Sequence, residues 1–170
     1  MKKFCNLAKH NKFALLAALL LIITGGNALA AKPAPEITVK TLDNNSIHIS
    51  DYKGDVVYVD FWATWCPPCR KSFPWMEEMH QRYKDLGFKV VAISLDNKRA
   101  VIDQFLKTMN TSFTIAHDPS GKSASAFNVK GMPSSYLIDR HGNIHLTHMG
   151  FNSKDKSKLE AEIKNLITQD

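Results

Sequence analysis

The sequence predicts an α/β domain in which helices flank a mixed central sheet. Two near-continuous apolar runs, at 56–62 and 90–95, are typical of strands buried on both faces, as in parallel sheets. Between them, apolar residues recur every three or four positions, which predicts a helix and therefore a β–α–β unit. Two later strand-like segments joined by a turn at 140–143 predict a hairpin, which adds antiparallel strands to the sheet.

The first thirty residues have the pattern of a secretory signal peptide. Their apolar run, at 13–23, has 11 residues and is followed by the cleavage signal Ala28-Leu29-Ala30. A stable membrane span needs about 20 apolar residues, so this run is short for one. We therefore predict a signal peptide over 1–30 and a mature domain over 31–170. An N-terminal anchor that is not cleaved is the alternative. The positively charged residues of the segment are Lys2, Lys3, Lys9 and Lys12.

Removal of this leader changes what the composition implies. The whole chain has a formal charge of +6, but the leader contains four lysines and no acidic residue, so the mature domain is close to +2. A nearly neutral domain gives no electrostatic reason to expect a nucleic-acid partner. The leader also contains Cys5, which leaves Cys66 and Cys69 as the cysteines of the mature chain. Export predicts an oxidising compartment, most simply a bacterial periplasm or cell envelope.

The predicted elements of the mature chain follow in order. After a Pro/Ala linker at 31–36, an N-terminal hairpin is expected at 37–41 and 46–49. Reactive groups in such a sheet lie at the carboxyl ends of the strands, and the strand at 56–62 leads directly to Cys66. His145 and His148 lie three positions apart on the last strand, so we expect them to face opposite sides. The further strands are expected at 90–95, 113–116, 135–139 and 144–149, and the helices at about 67–87, 99–109, 124–127 and 159–167.

The segment Trp65-Cys66-Pro67-Pro68-Cys69 is the predicted chemical centre. A disulfide that closes so short a loop stabilises the fold by roughly 2 kcal/mol, whereas one that closes a loop of about 100 residues contributes about 4.7 kcal/mol. This position is therefore a poor one for a disulfide that only stabilises. Prolines suit the first turn of a helix, so the next helix is expected to begin at Pro67 or Pro68. Cys66 then lies at a helix N-terminus, which favours its thiolate. We predict that Cys66 is the exposed nucleophile and that Cys69 resolves the mixed disulfide.

Two other interpretations of the cysteine pair remain open. The pair could form a structural disulfide, or it could supply half of a metal site. Structural zinc sites have four ligands, and the sequence offers no second cysteine pair. A copper site formed by Cys66, Cys69 and one histidine is the remaining metal alternative.

Asp60 is a candidate because it interrupts the apolar strand six residues before Cys66. Burial of a carboxyl group is costly unless the group is protonated or hydrogen-bonded, so the pKa of Asp60 should rise. An acid of this kind beneath a thiol pair can accept the proton that Cys69 must lose. The alternative is a strand residue that faces a polar pocket or a water molecule.

Pro133 is a candidate because Gly131-Met132-Pro133 leads into the strand at 135–139. A cis Met132–Pro133 bond would bring backbone beside the cysteines and leave an unpaired edge for an extended substrate. The ordinary preference of X–Pro bonds favours the trans form instead.

Residues 59–69, VDFWATWCPPC, resemble the active-site signature of the thioredoxin superfamily, specifically its exported TlpA/ResA-type branch. Phe73-Pro74 and the segments at 90–95 and 131–139 resemble further blocks of that family, and the resemblance spans about 37–166. It implies a thioredoxin-like fold with an N-terminal β-hairpin and a βα insertion around 99–117. It also implies a cis bond at Pro133, with Trp65, Pro67, Pro68 and Met132 surrounding the active site.

The resemblance implies an exported thiol–disulfide oxidoreductase, usually a reductant, whose redox group is the Cys66–Cys69 disulfide without a further cofactor. Its substrates would be protein thiols and disulfides, in cytochrome c maturation or envelope thiol homeostasis. A membrane electron donor of the DsbD/CcdA kind would recharge it, and contact with the membrane itself is expected only if the leader is retained. Asp60 stands where this branch often has asparagine, and Ser72 where it commonly has glutamate, which weakens a dedicated cytochrome role.

Three alternatives to a reductant are kept. One is a copper-binding assembly factor for an oxidase, and the others are a thiol oxidant and a peroxidase-like protein of the same fold. The absence of histidine between the cysteines disfavours the oxidant. A peroxidatic cysteine in this fold is expected to have threonine three positions before it, whereas Thr64 lies two before Cys66.

Overall fold

The computed structural model describes residues 31–169, and the predicted signal peptide lies outside the described residues. The sheet consists of β1 (Lys32–Pro33), β2 (Thr38–Thr41), β3 (Ser46–His48), β4 (Val56–Trp62), β5 (Phe88–Ser94), β6 (Thr114–His117), β7 (Ser134–Ile138) and β8 (Asn143–Met149). The helices are α1 (Pro67–Tyr83), α2 (Arg99–Leu106), α3 (Lys122–Ala126) and α4 (Asp155–Thr168). Short 3-10 turns lie at Ile49–Tyr52 and Lys84–Leu86.

The eight strands form one mixed sheet in the order β1-β8-β7-β4-β5-β6-β2-β3. Strands β4, β5 and β6 are parallel to one another, and the other neighbouring pairs are antiparallel. The predicted mixed sheet with flanking helices is therefore confirmed. The N-terminal hairpin extends the β6 edge, and the β6 strand itself belongs to the predicted βα insertion.

Two apolar cores cover the two faces of the sheet. Val57, Val59 and Phe61 of β4 pack with the N-terminal hairpin and α3, whereas Tyr58 and Trp62 pack with α1, α2 and α4. Successive strand residues point to opposite faces, so Asp60 shares the second face with Tyr58 and Trp62. The same core contains Cys69. The alternation within β4 therefore places a carboxyl group on the side of the sheet where the cysteines lie.

The sequence suggested a linker over 31–36, but part of that segment forms the strand β1. Lys32 and Pro33 pair with Ile144 and Asn143 of β8, and the Ala34 amide donates to the carbonyl oxygen of Gly142 at 2.9 Å. A strand of two residues is too short to show periodicity in the sequence. Proline, which has no N–H, is tolerated in it because β1 lies at the sheet edge, where that N–H would have no neighbouring strand to bond.

The expectation that His145 and His148 face opposite sides is wrong. His145 lies 2.9 Å from Glu162, and His148 lies 3.3 Å from Asp155, and both acids belong to α4. The cause is an irregularity in the β7–β8 pairing, where Leu137 and Ile138 pair with Leu146 and Ile144, so that β8 has one extra residue. An extra residue in one strand shifts the inward–outward alternation by one position.

Within residues 31–169, no helix combines the length and the apolar character required to cross a membrane.

Candidate active site

The two cysteines are joined in a disulfide at the first turn of α1. Cys66 is the N-cap of the helix, and Pro67 is its first residue, as predicted. The Cα atoms of Cys66 and Cys69 are 5.3 Å apart. The Cys69 amide donates to the Cys66 sulfur at 3.3 Å, so a free N–H of the helix terminus is directed at that atom. Such N–H groups and the helix dipole stabilise negative charge on the Cys66 sulfur when the disulfide is reduced.

Cys66 is the outer cysteine, but in the disulfide it is less accessible than the sequence predicted. Its exposed fraction is 5%, against 0% for Cys69. Cys66 is therefore the more exposed of the two cysteines, as expected, but the expectation that it is an exposed residue is wrong for the disulfide form. Its neighbour Trp65 is 68% exposed, which places a large apolar side chain on the surface next to the disulfide.

A buried carboxylate that the sequence reasoning missed fixes the loop leading to Cys66. Asp96 lies just beyond β5 and accepts hydrogen bonds from the Thr64 amide and hydroxyl, at 2.9 and 2.8 Å. The Ser94 hydroxyl donates to it as well, at 2.9 Å. These bonds tie the turn after β4 to the end of β5. The position of Asp96 at the carboxyl end of a predicted parallel strand was the signal that could have found it.

Asp60 is fully enclosed, with an exposed fraction of 1%. The Ser135 hydroxyl donates to its Oδ1 at 2.7 Å, while Oδ2 has no hydrogen-bond partner. Burial raises the pKa of Asp60 from 3.8 to about 7, and the Ser135 hydrogen bond opposes only part of that rise. Burial also raises the pKa of Tyr58 on the same face, with the charge of Asp60 as the next cause. The sequence thus correctly predicted the direction of the Asp60 shift.

The Met132–Pro133 peptide bond is cis, as the resemblance implied. The Ser134 hydroxyl donates to the Gly131 carbonyl oxygen at 2.6 Å, and the Gly150 amide donates to the Pro133 carbonyl oxygen at 2.8 Å. The loop is therefore held between the start of β7 and the end of β8. Met132 is half-buried at this loop.

Ser72 is buried on α1, and its hydroxyl donates to the Cys69 carbonyl oxygen at 2.7 Å. A glutamate at this position would bring a second negative charge, beside that of Asp60, close to Cys69. The serine brings no charge, and its hydroxyl is hydrogen-bonded to the helix backbone. Asp60 thus remains the buried carboxyl group on the β4 face that shares its core with Cys69. In residues 31–169, no three or more His, Cys, Asp or Glu side chains are grouped to hold a metal ion.

Comparison with known proteins agrees with this geometry. The sequence pattern of the Redoxin family matches residues 29–163. The chain belongs to the Redoxin family. Among Redoxin-family relatives, it is 33% identical to the thiol–disulfide oxidoreductase ResA of Bacillus thuringiensis subsp. konkukian, over 79% of this chain and 77% of that one. It is 29% identical to ResA of Oceanobacillus iheyensis, over 95% of this chain and 92% of that one.

A solved structure gives the same result for the fold. A putative thiol:disulfide interchange protein DsbE from Chlorobium tepidum is 44% identical, with a TM-score of 0.78, over 81% of this chain and 96% of that one. The fold is therefore thioredoxin-like, and this Redoxin-family protein is a thiol–disulfide oxidoreductase of the ResA/DsbE type.

Proposed function

We propose that this protein is an exported, periplasmic reductant of protein disulfides that acts through Cys66 and Cys69. The observation that supports it most is the arrangement of the pair, with Cys66 at the N-cap of α1 and Cys69 enclosed one turn further along. An outer sulfur can meet a partner, whereas an enclosed sulfur can meet only Cys66. The similarity to ResA and DsbE proteins supports the same reaction class.

The reaction begins with the reduced pair. The Cys66 thiolate attacks one sulfur of a partner disulfide, forms a mixed disulfide and releases the other partner sulfur as a thiolate. Cys69 then loses its proton and attacks the Cys66 sulfur. This step forms the Cys66–Cys69 disulfide and releases the second partner sulfur. Two electrons pass to the partner, which ends with two thiols, and the protein ends in the disulfide form described above.

Asp60 is proposed as the base that accepts the Cys69 proton. A carboxyl group with a pKa of about 7 can bind and release a proton near neutral pH. Tyr58 and Trp62, its neighbours on the same face of β4, pack in one core with Cys69. The position of Asp60 is therefore compatible with proton exchange with the inner cysteine.

The loop at Pro133 and the residues around Cys66 are proposed to bind the partner. Backbone groups next to a cis proline can pair with an extended segment of the partner chain. Met132 provides that backbone and an apolar side chain. Trp65, Pro67 and Pro68 would form the apolar surround on the other side of the disulfide.

Export and recharging are inferred from the leader and from the family. The segment at 1–30 has the pattern of a signal peptide. The oxidised pair must regain two electrons after each cycle, and a membrane electron donor of the DsbD/CcdA kind is proposed to supply them. Cytochrome c maturation or envelope thiol homeostasis would be the setting.

The test is Cys69→Ala, produced as the full chain in its native envelope. Cys66 should then retain its partners as mixed disulfides, which migrate as adducts on non-reducing gels and can be identified by mass spectrometry. The matched control, Cys66→Ala with Cys69→Ala, should retain none. An absence of Cys66-dependent adducts would refute the exchange reaction. A redox titration of the unaltered protein checks the direction, since a reductant requires a potential below that of its partners.

A further inference from the structure

A row of polar side chains leads from Asp60 to the surface on the side of the sheet covered by α4. The Ser135 hydroxyl donates to Asp60 Oδ1 at 2.7 Å. His148 pairs directly with Ser135 across β7 and β8, so their side chains are neighbours on one face. The His148 Nε2 atom lies 3.3 Å from Oδ2 of Asp155, the first residue of α4. The row therefore continues from a strand interior to the start of a helix.

The first two members of this row are buried, and the last two are partly exposed. Asp60 and Ser135 are 1% and 3% exposed, whereas the side chains of His148 and Asp155 are 24% and 21% exposed. The outer two side chains thus reach solvent, although the Nε2 atom of His148 is itself buried. A proton bound to Asp60 has no direct contact with bulk water, and Ser135 is the polar group that touches it.

The neighbours of Asp60 on its own strand, on β5 and on the packed helices include fewer polar groups than the β7 side. On β5 the residue opposite is Ala92. The titratable groups on the packed elements are Tyr58 on its own strand and Cys69 on α1, followed beyond Ser135 by His148 and Asp155. Tyr58 also neighbours Ser135 and Asp155. Tyr58 is itself enclosed, with its ring against the edge of Trp75 at 5.7 Å between centroids. The path through Ser135 is therefore the one that ends at solvent.

We propose that Ser135 and His148 conduct protons between the Asp60 carboxyl group and solvent. The inference rests on the proposed function, in which Asp60 accepts the proton of the Cys69 thiol. The Asp60 oxygen without a hydrogen-bond partner, Oδ2, is free for that proton, while Oδ1 faces Ser135. Oδ2 thereby accepts the proton of the cysteine, and Oδ1 faces the proposed route to solvent.

The transfer is balanced in protons and moves no electrons. The thiol proton binds to the Asp60 carboxylate. Rotation of the Asp60 carboxyl group then brings the proton bound at Oδ2 to the side of Ser135, which contacts Oδ1 in the structure. After rotation of its own hydroxyl, the Ser135 oxygen accepts this proton and passes its previous proton to the His148 imidazole, directly or through one water. The imidazolium releases a proton to bulk water, and the net change is one proton moved from Cys69 to solvent. The Asp155 carboxylate, 3.3 Å from the His148 Nε2 atom but not hydrogen-bonded to it, offsets the transient positive charge of the ring.

The chain offers a matched control for His148. His145 lies on the same strand, and its Nε2 atom is 2.9 Å from Glu162 on the same helix. It sits at the irregular pairing beyond Leu137 and Leu146, away from Ser135. The test compares His148→Asn with His145→Asn in the full chain. Reduced protein is mixed with a small-molecule disulfide by stopped flow from pH 5 to 9, at low and high concentrations of imidazole.

We expect His148→Asn to slow formation of the Cys66–Cys69 disulfide several-fold at low imidazole, and added imidazole to restore the rate. His145→Asn should behave as the unaltered protein. Ser135→Ala removes a hydrogen bond that favours the ionised carboxylate, so the midpoint of the pH profile should move up by about one pH unit. The midpoint in Ser135→Ala reports the hydrogen bond to Asp60, whereas conduction is reported by the response to imidazole. A merely structural role for His148 would give a rate that imidazole does not restore.

Two results would overturn the route. One is an unaltered rate and pH profile in His148→Asn at low imidazole, and the other is a slower rate that imidazole does not restore. Failure of the proposed function looks different. In that case the unaltered protein itself would not react with the disulfide, at any pH or imidazole concentration.

Discussion

The buried carboxyl group of Asp60 should make the stability of the protein fall as pH rises. Its pKa is about 7 in the folded protein, against an ordinary value of 3.8. Below about pH 4 the group is neutral in both states and costs nothing. Between 3.8 and about 7 the unfolded chain ionises while the folded chain holds its proton. Stability is therefore lost over that interval, and the loss is complete once the pH passes the folded pKa.

The size of this effect follows from proton linkage. Each pH unit over which the two states differ by one bound proton corresponds to about 1.4 kcal/mol, so the interval amounts to about 4 kcal/mol. Asp60→Asn keeps the shape of the side chain and an oxygen that can accept from Ser135, but it cannot ionise. Relative to the unaltered protein, the variant should gain about 4 kcal/mol in the free energy of unfolding between pH 4 and pH 8.

The assay is denaturant unfolding of both oxidised proteins at pH 4, 6 and 8, followed by tryptophan fluorescence. The oxidised form is used because its cysteines do not titrate. All other titrations occur in both proteins and cancel in the difference between them. If that difference stays constant to within about 1 kcal/mol from pH 4 to pH 8, the pKa of Asp60 is not raised in the folded protein.

Three further substitutions test the loop before Cys66 and two positions that stabilise the fold. Asp96→Ala removes the acceptor for the Thr64 amide, so it should cost about 1–3 kcal/mol in unfolding experiments and slow insulin reduction. Ile163→Ala empties a fully buried position on α4 and should cost about 2–5 kcal/mol, with the exchange rate of the folded protein unchanged. Gly87→Ala should cost about 1 kcal/mol or more, because φ is +80° and a Cβ would lie 2.8 Å from the Arg140 guanidinium.

Each of these expectations can fail on its own. An Asp96→Ala protein that is as stable and as active as the original would mean that the loop before Cys66 does not depend on the carboxylate. A large loss of exchange rate in folded Ile163→Ala would show that the packing of this core position is required for the reaction. An unchanged or higher stability of Gly87→Ala would show that the Arg140 side chain moves aside at no cost and that the backbone accepts the strain.

Local patterns predicted the central part of the fold and the position of the cysteines. The apolar run at 56–62 coincides with β4, since a strand buried on both faces leaves a continuous hydrophobic signal. The prolines after Cys66 marked the start of α1, because proline suits that position. The raised pKa of Asp60 followed from a single carboxyl group in an apolar strand.

Features that depend on strand register were not predictable from the sequence. In the sequence, Ser135 is indistinguishable from other polar strand residues. Only the pairing of β4 with β7 places it opposite Asp60. His145 and His148 were placed by simple alternation, which the extra residue in β8 invalidates. Such contacts join segments 75 residues apart, as for Asp60 and Ser135, and local periodicity does not encode them.

The short strand β1 determines where the chain enters the domain. It pairs with Ile144 and Asn143, at the end of β8 that lies beside Ile138, whereas the cysteines follow the opposite end of β4. From Val57 to Trp62 the strand rises about 17 Å, so the entry point and the disulfide are separated by roughly the length of a strand. A protein immobilised through a tag placed before Ala31 should therefore present its disulfide to the solution, which makes the N-terminus the suitable point of attachment for capturing partners on a solid support.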